Sequence, residues 1–141
     1  MSYILSVVVP SYNVEKYLDK CLTSFSDERF NGRLDVMVVN DGSSDSTPQI
    51  AQKYVDRFPE IFRLINKENG GHGSAVNTGI KNAMGKYFRI VDGDDWVNTD
   101  NMAKLLDILE STDTDMVVDE KREVNMTSGD TEFFPLPQGI E

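Results

Sequence analysis

Three aspartates crowd into four positions of the sequence, directly after an apolar run. The segment is KYFRIVDGDDW, and its carboxylates belong to Asp92, Asp94 and Asp95. Two like charges about 4 Å apart repel by roughly 4 kcal/mol at an effective dielectric constant near 20, so such a cluster needs open water or a cation. Carboxylate oxygens suit Mg²⁺ or Mn²⁺. The spacing therefore predicts a divalent-cation site, with a solvated turn of Asp and Gly as the alternative.

Backbone geometry decides which of these carboxylates can share an ion. Asp92 and Asp94 are two residues apart, so they project to the same side of an extended segment. Asp95 projects away unless the chain bends at Gly93. We therefore expect one or two of the carboxylates on the cation and another on a hydroxyl group of the ligand.

A fourth acidic residue, Asp41, closes the apolar run in VVNDGSSDST. A carboxylate at that place can accept hydrogen bonds from the ribose hydroxyls or the base N–H groups of a nucleoside. Asp45, Ser46 and Thr47 are explained instead by helix capping and turn chemistry. Asp41 lies too early in the segment for that explanation, which makes it a candidate binding residue.

The glycine-rich segment NGGHGSAVNTG allows close approach of the backbone to a ligand. It is not a dinucleotide-binding fingerprint, because Val76 stands where the third glycine is required. The segment leads into a predicted helix whose N-terminus can face an anion. His72 is the only histidine of the chain, and it is either incidental or placed to touch that ligand.

The segment VVVPSYN ends the first apolar run with polar and aromatic residues. Pro10 stops the strand, and Tyr12 offers a ring that can stack on a base. Core packing explains Tyr12 equally well. Asn13 is the expected cap of the first helix.

Apolar runs alternate with segments of helical periodicity along the chain. This order predicts an α/β fold with a mostly parallel sheet and helices on both faces, in which ligands bind outside the carboxyl ends of the strands. All the polar segments described above follow such strands. The predicted strands are 3–9, 34–40, 61–66, 86–91 and 114–118, and the predicted helices are 14–25, 48–58 with Thr47 as N-cap, 73–84 and 99–112.

Composition excludes several classes of partner. The chain carries 24 acidic and 14 basic residues, for a formal net charge of -10, so we expect neither a nucleic-acid surface nor an anionic-membrane surface. No apolar run approaches the 18 or so residues that a membrane span needs, and the N-terminus lacks the basic flank of a signal peptide. The single cysteine, Cys21, has no internal disulfide partner, which predicts a cytoplasmic protein.

Taken together, these segments resemble the family-2 glycosyltransferases, inverting enzymes with a nucleotide-sugar-binding fold of GT-A type. The matching pieces are VVVPSYNVEKYLDKCLTSF, VVNDGSSDST and NKENGGHGSAVNTGIKNAMGKYFRIVDGDDW, in this order and at this spacing. The resemblance covers residues 3–118 and implies a Rossmann-like sheet. Residues 1–118 are then the nucleotide-sugar-binding domain, and residues 119–141 are the start of an acceptor-side region or a tail.

The resemblance also implies roles for individual residues. Pro10 and Tyr12 match residues that line the donor base, and Asp41 matches the acidic residue that holds the nucleoside. The DGDD segment matches the D-x-D element, which binds Mg²⁺ or Mn²⁺ on the donor diphosphate. The expected donor-binding residues are Pro10, Tyr12, Asp41, His72, Asp92 and Asp95, and the expected metal ligands are Asp92, Asp94 and Asp95.

The sequence departs from the family pattern at two points. Many members carry an arginine where Val76 stands, so the nucleotide is left open, and His72 or Lys67 is expected to substitute. In the family, the carboxylate that acts as general base lies well after the D-x-D element, and we expect it beyond residue 141.

The function that the resemblance implies is metal-assisted transfer of a sugar from a nucleotide-diphospho-sugar to a glycan, lipid or protein acceptor. The resemblance suggests an inverting reaction in the synthesis of cell-surface or cell-wall polysaccharide. Two alternatives remain. A nucleotidyltransferase would usually have a glycine- and Arg/Lys-rich loop after the first strand, where this chain has PSYNVEKY. A non-catalytic nucleotide-binding module would keep the metal site without the base.

Overall fold

Parallel strands form the sheet on which the described part of the chain is built. The computed structural model describes residues 3–111, 121–124 and 131–134. Within its first part the strands are β1 (Tyr3–Ser11), β2 (Leu34–Asp41), β3 (Phe62–Lys67) and β4 (Gly85–Ile90). They lie in the order β3-β2-β1-β4, and every neighbouring pair is parallel. The predicted fold class is confirmed.

Helices cover both faces of this sheet. They are α1 (Leu18–Thr23), α2 (Thr47–Arg57), α3 (His72–Asn82) and α4 (Thr99–Glu110), and a short 3₁₀ turn at Glu28–Phe30 precedes β2. Apolar residues of α1, α2 and α4 pack with Val7 and Val9 of β1 on one face, while α3 packs near Val8 on the other. Burial on both faces explains why β1 and β2 are continuous apolar runs. Among the described helices, none is both long and apolar enough to span a membrane.

Strand β1 occupies a special place in the strand order. It pairs with β2 on one side and with β4 on the other, so that Val7 lies opposite both Val36 and Arg89. The chain moves outward from β1 to β3 and then returns to the other side of β1. The loops that leave adjacent strands at such a point diverge and open a crevice at the carboxyl ends.

The first helix begins later than its apolar pattern predicts. Helix α1 starts at Leu18, not at Val14. The amide of Val14 donates to Thr47 Oγ1 at 3.0 Å, and the amide of Glu15 donates to an oxygen of Asp45 at 3.2 Å. These bonds tie the segment to the start of α2. Tyr17, which lies inside the predicted helix, is instead the N-cap residue of α1 and is 40% exposed.

Helix α2 begins at Thr47, so Ser46 and not Thr47 is its N-cap residue. Ser46 makes no capping bond with its side chain. Asp45 caps the helix instead, because its Oδ1 accepts hydrogen bonds from the amide and the hydroxyl of Thr47 at 2.9 Å and 2.6 Å. Pro48 lies in the first turn as predicted.

The chain divides into two compact units, Met1–Ser111 and Thr112–Glu141. In the second unit, β5 (Lys121–Val124) pairs with β6 (Thr131–Phe134) in antiparallel register. The predicted strand at 114–118 lies outside the described residues.

Helix α3 approaches β1 so closely that only glycine fits at residue 79. A Cβ atom on Gly79 would lie 2.2 Å from Cγ1 of Val8, which is fully buried. We expect Gly79→Ala to lower the free energy of unfolding by about 1–3 kcal/mol, even though alanine favours helix by about 1 kcal/mol. Gly73→Ala in the same helix is the control, because its Cβ meets nothing within 4 Å. Urea denaturation of both variants tests this, and an undiminished stability of Gly79→Ala would contradict it.

Candidate functional site

A cleft of about 370 Å³ opens where β1 and β2 end and α3 begins. It lies at the carboxyl ends of the strands, as predicted for ligands of a parallel sheet. The sequence-predicted residues Pro10, Tyr12, Asp41 and His72 all line it. The other lining residues are Ser11, Asn69, Gly71 and Ala75.

Asp41 is the most firmly held residue of the cleft. Its Oδ1 accepts hydrogen bonds from Lys67 Nζ and from the amide of Gly70, both at 2.9 Å, and its Oδ2 accepts one from the amide of Gly71 at 3.0 Å. The residue is only 3% exposed. Burial alone would raise the pKa of this carboxyl, but Lys67 and the two amides outweigh that effect and hold the pKa below its usual range. Asp41 is therefore a fixed, ionised hydrogen-bond acceptor.

The loop before α3 needs its glycines for backbone reasons. Gly71 has φ 94°, and Gly42 of the facing turn has φ 70°, a region that L side chains rarely adopt. A Cβ on Gly42 would lie 2.8 Å from the amide nitrogen of Asn69. The side chain of Asn69 donates to the carbonyl of Asp41 at 3.1 Å. These close contacts place the loop against the end of β2.

Tyr12 extends into the open part of the cleft. The residue is 53% exposed, so packing in the core does not explain the tyrosine at this position. The neighbouring Asn13, expected to cap the first helix, has φ 52° instead and bonds to the loop after β2. Its Oδ1 accepts a hydrogen bond from the amide of Ser44 at 2.9 Å, and its own amide donates to Ser43 Oγ at 3.0 Å. The two loops that flank the cleft are thus joined.

The acidic loop, residues 92–95, gathers the three predicted carboxylates. One oxygen from each of Asp92, Asp94 and Asp95 lies within 4.8 Å of the others, and all three residues are exposed. The loop bends at Gly93, because the amide of Asp95 donates to the carbonyl of Asp92 at 2.9 Å. This bend brings in Asp95, which an extended segment would turn away. The cluster has the hard oxygen atoms that Mg²⁺ or Mn²⁺ prefers, and it leaves room for water or phosphate ligands.

His72 links the cleft to the acidic loop. It is the first residue of α3, and its Nδ1 lies 3.9 Å from an oxygen of Asp92. Asp92 therefore borders the cleft, while Asp94 and Asp95 lie further round the loop. Lys67, the other expected substitute for the missing arginine, donates a hydrogen bond to Asp41 instead.

The sequence interpretation missed some residues of the site. Asn69 and Ser11 line the cleft but were not singled out, although Asn69 is the first residue of the glycine-rich segment that was. Its partner, the carbonyl of Asp41, is 28 residues away, and no local pattern indicates such a pairing.

Cys21 lies directly beneath the acidic loop. Its buried Sγ is 3.8 Å from the carbonyl oxygen of Asp92. Burial, helped by the negative charges of the loop, raises the pKa of the Cys21 thiol from 9.0 to about 12. The thiolate, which is the reactive form, is accordingly suppressed near neutral pH.

We expect Cys21 to resist alkylation in the native protein at pH 8 and to react fully once the protein is unfolded. Because the folded thiol keeps its proton where the unfolded one loses it, its contribution to stability is complete below pH 9 and is lost as the pH rises through about 12. Mass spectrometry after timed iodoacetamide treatment measures the first effect, and urea denaturation of wild type and Cys21→Ala across this pH range measures the second. Rapid labelling of the native protein would contradict the account.

Comparison with known proteins places this site in a family. Residues 6–135 match the sequence profile described as "Glycosyl transferase family 2". The uncharacterized glycosyltransferase EpsJ of Bacillus subtilis is 39% identical over 114 residues, which are 81% of this chain and 33% of that protein. Glycosyltransferase GlyA of Streptococcus pneumoniae is 35% identical over 125 residues, which are 89% of this chain and 18% of GlyA. The chain therefore spans a third or less of the length of these two relatives.

Solved structures show the same architecture. Staphylococcus aureus TarS 1-349 in complex with UDP-GlcNAc superimposes with a TM-score of 0.65 and 31% identity, over 76% of this chain and 31% of that one. The mannosyltransferase PcManGT from Pyrobaculum calidifontis, in complex with GDP-Man and Mn²⁺, gives a TM-score of 0.58 and 29% identity, over 73% of this chain and 31% of that one. The profile match and these likenesses confirm the resemblance seen in the sequence: the chain belongs to glycosyl transferase family 2.

Proposed function

We propose that this chain is the donor-binding part of a glycosyltransferase that transfers a sugar from a nucleotide-diphospho-sugar to a glycan, lipid or protein acceptor. The observation that carries the proposal is the arrangement of two chemically different sites side by side. The cleft offers an exposed aromatic ring at Tyr12 and a fixed anionic acceptor at Asp41. The acidic loop begins 3.9 Å from His72 on the rim of that cleft.

The cleft suits the nucleoside of the donor. The ring of Tyr12 can stack on the base, and Pro10 gives an apolar wall beside it. The carboxylate of Asp41 accepts a hydrogen bond from a base N–H group, since it is ionised and already fixed in direction by its three partners. The likeness to TarS, whose structure holds UDP-GlcNAc, supports a nucleotide-sugar in this place.

The acidic loop suits a divalent cation shared with the donor diphosphate. Asp92, Asp94 and Asp95 would hold Mg²⁺ or Mn²⁺, which supplies neutralisation of the charge that develops on the leaving nucleoside diphosphate. The chain's own part is to gather and orient these carboxylates next to the cleft. The Mn²⁺ in the PcManGT structure supports this assignment.

His72 takes the position of a further donor contact. Val76, where the family often has arginine, is half-buried in α3 and offers no charge. His72 begins the same helix, is exposed to the cleft and faces Asp92. A ring N–H at that place can donate to a diphosphate oxygen, and so stand in for the guanidinium.

The remaining features of the proposal are supported by family membership alone. The reaction is inverting, its general base belongs to an acceptor-binding region outside the described residues, and the product is cell-surface or cell-wall polysaccharide made on the cytoplasmic side. The names of relatives such as the poly(ribitol-phosphate) β-N-acetylglucosaminyltransferase TarS of Staphylococcus aureus support this setting.

Calorimetric titration tests the proposal directly. UDP, GDP and their sugar conjugates are titrated into the protein with Mn²⁺ and again with a chelator. We expect one nucleotide series to bind with Mn²⁺ and to lose at least about tenfold in affinity, or about 1.4 kcal/mol, with the chelator. The same nucleotide affinity with Mn²⁺ and with the chelator, or no binding of any nucleotide, would overturn the proposed function.

A further inference from the structure

The end of helix α1 is bonded to the segment that leaves the acidic loop. Ser24, the residue that follows α1, is 8% exposed. Its Oγ accepts a hydrogen bond from the amide of Val97 at 3.1 Å, and its carbonyl accepts one from the hydroxyl of Thr99 at 2.8 Å. The Ser24 hydroxyl itself donates a hydrogen bond to the carbonyl of Cys21. One buried serine therefore holds two points of a segment that is more than 70 residues away in sequence.

Two residues of α1 itself touch the acidic loop or the segment that leaves it. Lys20 Nζ lies 3.7 Å from the ring centroid of Trp96, and Cys21 Sγ lies 3.8 Å from the carbonyl oxygen of Asp92. On the opposite side, the amide of Gly93 donates to the carbonyl of Pro10 at 3.3 Å. The acidic loop is therefore held between α1 and the end of β1.

This restraint has a physical consequence for cation binding. Three exposed carboxylates within 4.8 Å repel one another, so a loop without these bonds would relax with its side chains apart. A cation would then have to order the loop as it bound, and that ordering would weaken the binding. If the loop is already held in its bent conformation, the three carboxylates are close together before the cation binds, and this ordering cost is avoided.

We propose that Ser24 is a positioning residue of the cation site: its bonds to Val97 and Thr99 fix the end of the acidic loop, so that Asp92, Asp94 and Asp95 converge before a cation arrives. This inference rests on the proposed function, because it assumes that the acidic loop binds Mg²⁺ or Mn²⁺. It adds a residue that contacts neither the cation nor the donor.

The chain offers a matched control for this role. Ser26 lies two residues further on, and its hydroxyl donates to the carbonyl of Leu22 at 2.8 Å. Ser24 and Ser26 thus both donate a hydroxyl hydrogen bond to a backbone carbonyl near the end of α1, Ser24 to Cys21 and Ser26 to Leu22. The difference between the two serines is the contact of Ser24 with the segment after the acidic loop.

The experiment compares Ser24→Ala with Ser26→Ala in the protein without nucleotide. Mn²⁺ affinity is measured from the electron paramagnetic resonance signal of the free ion, and the free energy of unfolding is measured by urea denaturation. We expect Ser24→Ala to weaken Mn²⁺ binding about fivefold or more, the loss that one buried hydrogen bond represents. Ser26→Ala should leave Mn²⁺ affinity unchanged even if it lowers stability, and Ser24→Thr, which keeps the hydroxyl, should restore most of the affinity.

The outcomes separate this inference from the proposed function. Wild-type Mn²⁺ affinity in folded Ser24→Ala overturns the positioning role and leaves the proposed function standing. A wild-type protein that takes up no Mn²⁺ without nucleotide overturns this inference, whereas the proposed function is decided by the titration of nucleotides with Mn²⁺. If Ser24→Ala does not fold, Thr99→Val is used instead, because it removes only the hydroxyl that binds the Ser24 carbonyl. Weakened Mn²⁺ binding in that variant supports the inference, and unchanged binding overturns it.

Discussion

Asp35→Asn is expected to lower the free energy of unfolding by about 2 kcal/mol, because it weakens the charged hydrogen bonds of a buried carboxylate whose partner, Arg63, is 33% exposed. Asp35 is 1% exposed, and its two oxygens accept hydrogen bonds from Nε and Nη2 of Arg63, both at 2.9 Å. The hydroxyl of Ser6 donates to the same carboxylate at 2.8 Å. Arg63 also donates to the carbonyl of Asn82 at 2.7 Å. This network joins β1, β2, β3 and the end of α3, so an asparagine leaves the Arg63 charge without its partner. Urea denaturation measures the change.

Asp107→Asn is the control for this prediction. It removes a carboxylate that also pairs with an arginine, Arg33, at 2.9 Å, but the Asp107 side chain is 73% exposed. An exposed pair contributes about 0–1 kcal/mol. Comparable stability losses in the two variants would show that burial of Asp35 does not determine the effect.

Asp94→Asn is expected to weaken metal-dependent nucleotide binding on the order of a hundredfold, because loss of even an outer partner of a metal ligand costs 10–100-fold. Without metal, the variant should be as stable as wild type or more stable, since one of three mutually repelling charges is removed. Calorimetric titration of UDP in Mn²⁺ measures the first effect, and urea denaturation in the presence of a chelator measures the second.

Asp107→Asn serves again as the charge-matched control, because it changes the net charge equally without touching the cleft or the acidic loop. Its nucleotide affinity should equal that of wild type. An Asp94→Asn variant that unfolds would show a structural role for Asp94, and a folded variant that binds the nucleotide normally would contradict its role in the cation site.

The sequence predicted those parts of the fold that depend on local patterns. The apolar runs that became β1 and β2 are buried on both faces, and such strands carry their signal in consecutive residues. The acidic residues at strand ends were found for the same reason: Asp41 and the DGDD segment each follow directly on an apolar run. The bend at Gly93 was open to prediction because glycine permits it.

The parts that depend on distant residues were not predicted. Helix α1 starts late because the amides of Val14 and Glu15 bond to the beginning of α2, and a helical pattern in one segment does not contain that competition. The same holds for Asp41, whose pKa is held low by Lys67 and by two backbone amides of another loop, although burial would raise it. Ser24 has no signal in its own neighbourhood at all.

The most direct test of the central claim is a crystal structure of the protein grown with Mn²⁺ and UDP, with anomalous difference density collected at the manganese edge. The account predicts one peak between the carboxylates of the acidic loop and the diphosphate, with the base stacked on Tyr12 and hydrogen-bonded to Asp41. Side chains of Asp92, Asp94 and Asp95 that point apart into solvent, with no peak between them while UDP occupies the cleft, would contradict it.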